Sequence, residues 1–71
     1  SRKKGIVEPR QITAFLLREM LNMSYPDIGE KLGKRDHSTV IHSYEKISRE
    51  ITKNQALNRK VILIREVISK G

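Results

Sequence analysis

The chain has 71 residues, among them 15 Lys or Arg and 8 Asp or Glu, which gives a formal net charge of +7 and a pI of about 10.2. A chain this short builds one domain around one small core. It has no cysteine, which excludes disulfides and Cys-based zinc sites, and no apolar run reaches the ~18 residues that span a bilayer. The positive charge favours a polyanionic partner, nucleic acid or an anionic membrane, over a basic surface with no such partner.

These limits predict a soluble, cytoplasmic protein with a single domain, residues 1–71. Because the sequence starts at a serine and not at methionine, we expect this domain to be part of a longer protein. Residues 1–8 form a basic arm with no apolar period, and residues 9–71 form a helical body. Such an arm either lies in the minor groove of DNA, where Arg reads groove width, or is a disordered tail that adds only charge.

The first helix is predicted to begin at Pro9, because proline suits the first helical position, and to end near residue 21 or 22. Arg10 and Gln11 lie in its first turn, where spare backbone N–H groups favour contact with a phosphate. Arg18 lies off the apolar stripe. Three roles are open for it: a solvated side chain, an ion pair with a nearby acid, or a contact with DNA. The predicted core positions are Ile12, Phe15, Leu16 and Met20.

A short second helix is predicted after Ser24, which can cap it, with Asp27 at the capping-box position. Pro26 falls in its opening turn, where the missing N–H donor costs nothing. Gly33 is predicted to end the helix in a left-handed conformation. The predicted core pair is Ile28 and Leu32.

The third helix is predicted to open at Asp36, a favourable N-cap residue. Its first turn is crowded with hydrogen-bonding side chains, namely Asp36, His37, Ser38 and Thr39. Apolar residues follow at helical spacing: Val40, Tyr44, Ile47 and Ile51, with Ile41 beside them. A short helix, a glycine turn and a longer helix form a helix-turn-helix pattern over about residues 24–53, and the amino end of the longer helix is predicted to enter the major groove of DNA.

A fourth helix is predicted after the break at residues 52–54. Its apolar residues are Leu57, Val61, Ile64 and Ile68, flanked by Ile62 and Val67. This stripe is wide and apolar, so its expected role is core packing.

Catalytic chemistry is not indicated. His37 and His42 are five residues apart and do not share a helical face as metal-binding pairs do, and the glycines are too dispersed for a phosphate-binding loop. Ser38 beside His37 is not a nucleophile and base pair, because adjacent helical side chains diverge. We therefore expect a binding domain and not an enzyme, with no metal site.

Residues 28–47 read Ile-Gly-Glu-Lys-Leu-Gly-Lys-Arg-Asp-His-Ser-Thr-Val-Ile-His-Ser-Tyr-Glu-Lys-Ile. This segment resembles the signature of the C-terminal DNA-binding domain of the bacterial DnaA family of chromosomal replication initiators. Residues 9–11 and 25–29 match further family positions at the right spacing, so the resemblance covers essentially the whole chain. Family members usually have Thr-Thr after the histidine, whereas this chain has Ser38-Thr39. The hydroxyl is kept and one methyl is lost.

The resemblance implies an all-α fold, a small helical bundle with a helix-turn-helix similar to that of the Trp repressor superfamily. It implies sequence-specific binding to double-stranded DNA at replication-origin boxes resembling TTATNCACA. The residues it assigns to bases in the major groove are Arg18, Pro26, Asp36, His37, Ser38 and Thr39. It assigns Arg2 to the minor groove, and it assigns to phosphates Arg10, Gln11, Lys34, Arg35 and Lys46. Arg18 falls where the family has a base-reading lysine.

In the family an AAA+ ATPase domain, which binds ATP and magnesium, precedes this domain, so the resemblance implies no cofactor for these residues. It implies a bacterial, nucleoid-associated cytoplasmic protein whose full-length form engages acidic phospholipids and other initiator protomers, while the isolated domain is monomeric. Two other functions stay open. The domain could bind nucleic acid through charge alone, or it could use the apolar stripes of its first and fourth helices to bind a protein or an acidic phospholipid surface.

Overall fold

The computed structural model describes residues 7–33 and 36–70, and these residues fold into four helices with no strand among them. The helices are α1 (Pro9–Leu21), α2 (Tyr25–Lys31), α3 (His37–Glu50) and α4 (Gln55–Lys70). The prediction of an all-α bundle with a helix-turn-helix, here formed by α2 and α3, is therefore confirmed. The roles predicted for Arg2, Lys34 and Arg35 concern residues outside the described ranges.

Helix α1 begins and ends where local chemistry dictates. Pro9 is its first residue, and the side-chain oxygen of Gln11 accepts a hydrogen bond from the backbone N–H of Glu8 at 3.0 Å, as in a capping box. Asn22 ends the helix with a left-handed backbone, φ 52°. Asparagine tolerates this conformation better than most residues, so the chain turns sharply towards α2.

Helix α2 is short and is capped as the sequence predicts. The hydroxyl of Ser24 accepts a hydrogen bond from the backbone N–H of Asp27 at 3.2 Å. After the helix ends at Lys31, Gly33 has φ +96°, a backbone conformation that residues with a side chain rarely adopt. This glycine is required by the turn of the helix-turn-helix, because an alanine there would strain the backbone.

The caps of α3 and α4 differ from each other. Asp36 occupies the N-cap position of α3, but its carboxylate makes no capping bond and instead accepts from the hydroxyl of Ser38 at 2.5 Å. Before α4, the side-chain oxygen of Asn54 accepts from the backbone N–H of Leu57 at 3.0 Å. The sequence pattern predicted a break at Asn54 but not this cap.

Helix α1 is central to the fold because it contributes to two groups of buried side chains on different faces. One group joins it to α3 and α4 and consists of Ile12, Phe15, Leu16, Ile47, Leu57 and Val61. The other joins it to α2 and α3 and consists of Ala14, Ile28 and Val40, with Leu17, Met23, Tyr25 and Leu32 packed against them. The helix-turn-helix is thus held on α1 from one side, while α4 covers another.

The prediction that the apolar stripe of α4 packs in the core is confirmed for its four stripe residues but not for the two residues that flank it. Leu57 and Val61 are buried, and Ile64 and Ile68 are partly buried, but Ile62 is 49% exposed and Val67 is 70% exposed. A helix that packs mainly on one neighbour buries only a narrow stripe, and the side chains flanking that stripe stay in solvent. Neither α4 nor any other described helix has the combination of length and apolar character that a membrane crossing requires.

Candidate nucleic-acid interface

The amino end of α3 presents polar side chains to solvent. Asp36, His37, Ser38 and Thr39 are all exposed, whereas the next residue, Val40, is only 2% exposed and packs in the core beside α2. The helix macrodipole adds partial positive charge at the same end. This end of α3 therefore offers donors and acceptors to a ligand while the rest of the helix is anchored.

Two of these exposed side chains are engaged with each other. The hydroxyl of Ser38 donates to the carboxylate of Asp36 at 2.5 Å. This hydrogen bond holds the pKa of Asp36 below its usual 3.8, so the carboxylate is charged at neutral pH. Because the hydroxyl hydrogen of Ser38 is directed at Asp36, the Ser38 oxygen faces a ligand as an acceptor. The pair thus offers acceptors, which suit donors such as the exocyclic amine of cytosine.

Arg18 lies at the carboxyl end of α1 and is half-buried. Its guanidinium donates from Nη1 to the backbone oxygen of Met23 at 3.1 Å, and its Cζ lies 4.8 Å from the centre of the Tyr25 ring. Within residues 7–33 and 36–70 it is not paired with an acid. The sequence left two alternatives to a DNA contact for Arg18, a solvated side chain and an ion pair with an acid. Among the described residues Arg18 is in neither state.

Pro26 is exposed in the first turn of α2 and directly follows Tyr25. Because Arg18 stacks on Tyr25, the two candidate base-contacting residues Arg18 and Pro26 lie close together. Tyr25 also belongs to the side chains that pack around Val40, the first buried residue behind the exposed amino end of α3. The fold thus connects the carboxyl end of α1, the start of α2 and the start of α3.

The candidate phosphate-binding residues are more dispersed. Arg10 is exposed in the first turn of α1. Gln11 beside it is half-buried, and its side-chain oxygen is used by the bond to Glu8, so its NH₂ group is the end left to donate. Lys46 is half-buried on α3, about two turns after the exposed first turn.

An aromatic cluster behind the interface was not predicted as part of the site. Phe15 stacks on Tyr44 with ring centres 5.3 Å apart, and Tyr25 meets Tyr44 edge to face at 6.1 Å. The hydroxyl of Tyr44 donates to the carboxylate of Glu19. Apolar spacing placed Phe15 and Tyr44 in the core separately, but no local signal pairs residues that lie far apart in sequence.

Comparison with known proteins gives a family for this arrangement. The family model described as "Bacterial dnaA protein helix-turn-helix" matches residues 1–47. Proteins named chromosomal replication initiator protein DnaA from Thermoanaerobacter sp. (strain X514), Thermoanaerobacter pseudethanolicus and Caldanaerobacter subterraneus subsp. tengcongensis are each 53% identical over 60 residues, which is 84% of this chain. The aligned region spans only 13% of the length of each relative. No solved structure gives a significant match.

Proposed function

The chain belongs to the bacterial DnaA helix-turn-helix family, and from that premise we propose that it binds double-stranded DNA sequence-specifically, at replication-origin boxes resembling TTATNCACA. The match is to a DNA-binding helix-turn-helix and not to an ATPase domain, so this chain is a DNA-binding domain and is not itself catalytic. Its part in chromosomal replication initiation, which the names of its relatives suggest, belongs to the same proposal.

The observation that carries the proposal is the exposed amino end of α3. Four consecutive hydrogen-bonding side chains face solvent there, directly in front of a core anchor, Val40, that is 2% exposed. The major groove accommodates a helix and presents a distinct pattern of donors and acceptors for each base pair. A rigid helix end with short polar side chains suits that pattern, whereas binding through charge alone requires only flexible cations.

The proposed contacts divide into two kinds. Arg18, Pro26 and the four side chains from Asp36 to Thr39 read base edges: Asp36 accepts from a cytosine amine, Pro26 touches a thymine methyl, and Arg18 grips guanine. The proposed phosphate contacts set the register and supply affinity without sequence information. They are made by Arg10, Gln11, Lys34, Arg35 and Lys46, while Arg2 enters the minor groove.

We assign no cofactor to these residues, and we place ATP and magnesium with the ATPase domain of the family. The proposed partner is double-stranded DNA, and we propose that the domain binds it as a monomer. A DNA partner implies association with the bacterial nucleoid in the cytoplasm. A net charge of +7 on 71 residues supports a polyanionic partner. If no metal takes part, a chelator leaves the affinity for DNA unchanged.

Fluorescence anisotropy with two labelled duplexes tests the proposal. One duplex carries a TTATNCACA box and the other a scramble of the same composition, and both are titrated at several salt concentrations. The proposal predicts tighter binding to the box at every salt concentration, together with a steep loss of affinity for both as salt rises, at about 0.9 in log K per log salt for each phosphate contact. Equal affinities with the same steep salt dependence would instead support binding through charge alone.

A second candidate function is favoured by the exposed apolar side chains of α4. Ile62, Leu63 and Val67 are between 49% and 70% exposed, and cationic residues lie among them, including Lys60 and Lys70. Such a face suits an acidic phospholipid surface or a protein partner, whether another initiator protomer or a different protein. Co-sedimentation with vesicles of anionic and of zwitterionic lipid tests the lipid version, which predicts binding to the anionic vesicles that Leu63→Glu abolishes.

A further inference from the structure

The contacts of Arg18 show how a base-reading side chain could be held before DNA arrives. Its guanidinium stacks over the Tyr25 ring, with Cζ 4.8 Å from the ring centre, within the distance at which a cation is attracted to an aromatic face. One of its N–H groups donates to the Met23 backbone oxygen at 3.1 Å. These two contacts fix the side chain from two sides and leave the remaining donors of the planar fork for a ligand.

The Tyr25 ring is itself supported. It meets the ring of Tyr44 edge to face, with centres 6.1 Å apart and planes at 68°, and Tyr44 stacks on Phe15 at 5.3 Å. The hydroxyl of Tyr44 is tied to Glu19, the residue next to Arg18 on α1. The platform under Arg18 therefore rests on two other helices, and it cannot turn without disturbing the packing of α1 against α3.

We propose that Tyr25 is a positioning residue for sequence recognition: its ring holds the guanidinium of Arg18 in the orientation that reads a guanine edge. This inference rests on the proposed DNA-binding function and deepens it. A fork that is already oriented loses little conformational entropy when it binds, and it discriminates between bases by geometry. A freely rotating arginine keeps its charge and finds a phosphate, which supplies affinity without discrimination.

The proposal predicts that loss of the Tyr25 ring lowers affinity for the box but not affinity for the scramble. Tyr25→Leu removes the aromatic face and keeps an apolar side chain against the core. It is expected to lower affinity for the box about two- to five-fold, the factor expected of an exposed cation–π contact, and to leave affinity for the scramble nearly unchanged. Tyr25→Phe keeps the ring and is the matched control, so it should bind both duplexes like the parent chain.

A double-mutant cycle distinguishes positioning from general structural support. In an Arg18→Ala background, Tyr25→Leu should have no further effect on the ratio of box to scramble affinities, because the group it positions is gone. Additive losses, or a Tyr25→Phe variant as defective as Tyr25→Leu, would overturn the proposal. Thermal unfolding of each variant shows whether it is folded, and any variant that is unfolded is replaced by Tyr25→Met.

A DNA-free measurement keeps this inference separable from the proposed function. The NMR order parameter of the Arg18 Nε–Hε group reports how rigidly the side chain is held. It should be high in the parent chain and in Tyr25→Phe, and lower in Tyr25→Leu; equal values in all three would show that Tyr25 does not hold Arg18. If the parent chain does not prefer the box, the proposed function fails and Tyr25 has no recognition to support, whatever the order parameters are.

Discussion

The hydroxyl of Tyr44 donates a hydrogen bond to the carboxylate of Glu19, and this contact joins α3 to α1 across 25 positions of sequence. It lies behind the exposed amino end of α3, in the same aromatic cluster that supports Tyr25. The bond to Glu19, together with burial, raises the pKa of Tyr44 above its ordinary 10.0. The contact therefore contributes to stability in a way that depends on pH.

The sign of that dependence gives the first prediction. Because the pKa of Tyr44 is higher in the folded than in the unfolded chain, its contribution is complete below about pH 10 and is lost as pH rises through the folded-state pKa. Tyr44→Phe should lower the free energy of unfolding near neutral pH, and the difference from the parent chain should shrink above pH 10. Urea unfolding of both chains from about pH 7 to 11 measures it; a pH-independent difference would contradict it.

The second prediction compares a buried and an exposed aliphatic residue. Ile47 has no exposed surface, and Ile47→Ala should cost about 2–5 kcal/mol, because it removes apolar contacts and leaves a cavity between α1, α3 and α4. For so small a domain this is a large share of the total stability. Val67 is 70% exposed, and Val67→Ala should change stability by no more than about 0.5 kcal/mol. Chemical denaturation of both variants tests the assignment of core and surface.

The third prediction concerns the helix caps. Ser24 and Asn54 each accept a backbone N–H at the start of a helix, α2 and α4 respectively. Replacing either by alanine should cost about 1 kcal/mol, since one donor loses its partner. Asp36→Ala should cost less, because the Asp36 carboxylate makes no capping bond. Three equal losses in denaturant unfolding would contradict this ranking.

The sequence predicted those features of the fold that depend on neighbouring residues, but not those that depend on how the helices pack. The start of α1 at Pro9, the cap at Ser24 and the left-handed turn at Gly33 were predicted, because each depends on one or two neighbouring residues. The exposure of Ile62 and Val67 was not, because periodicity shows which face is apolar but not how wide a surface the neighbouring helix covers.

In the candidate site, too, the features set by neighbouring residues were predicted and the contacts between helices were not. Exposure of the residues from Asp36 to Thr39 follows from their polarity and from their position before an apolar stripe. The stacking of Arg18 on Tyr25 has no such signal, because Asn22 first has to turn the chain so that α2 meets the end of α1. The contact of Glu19 with Tyr44 depends on the packing of two helices that are distant in sequence.

The fourth prediction separates base reading from phosphate binding. Asp36→Ala should reduce the preference for the box over its scramble by about ten-fold, because a base-edge contact contributes roughly 1–3 kcal/mol of discrimination. Lys46→Ala should weaken both duplexes alike and lower the salt slope by about 0.9. Competition binding at fixed salt distinguishes these outcomes, and equal losses on both duplexes for Asp36→Ala would remove it from the set of base-reading residues.

A second substitution separates the charge of Asp36 from the hydroxyl that binds it. Ser38→Ala removes the 2.5 Å bond to Asp36 but keeps the carboxylate, so it should raise the pKa of Asp36 towards 3.8 without neutralising it near pH 7. Ser38 is itself a proposed base-reading residue, so Ser38→Ala should also lower the preference for the box, but by less than Asp36→Ala does if the charge of Asp36 supplies most of the discrimination.

The central claim is that the amino end of α3 enters the groove, and an NMR titration of the ¹⁵N-labelled chain with the box duplex tests it most directly. The account predicts that the largest amide shift changes fall on residues 36–39, that they are smaller with the scrambled duplex, and that Val67 on α4 hardly moves. Unchanged amides at 36–39, with the largest changes on α4, would contradict it.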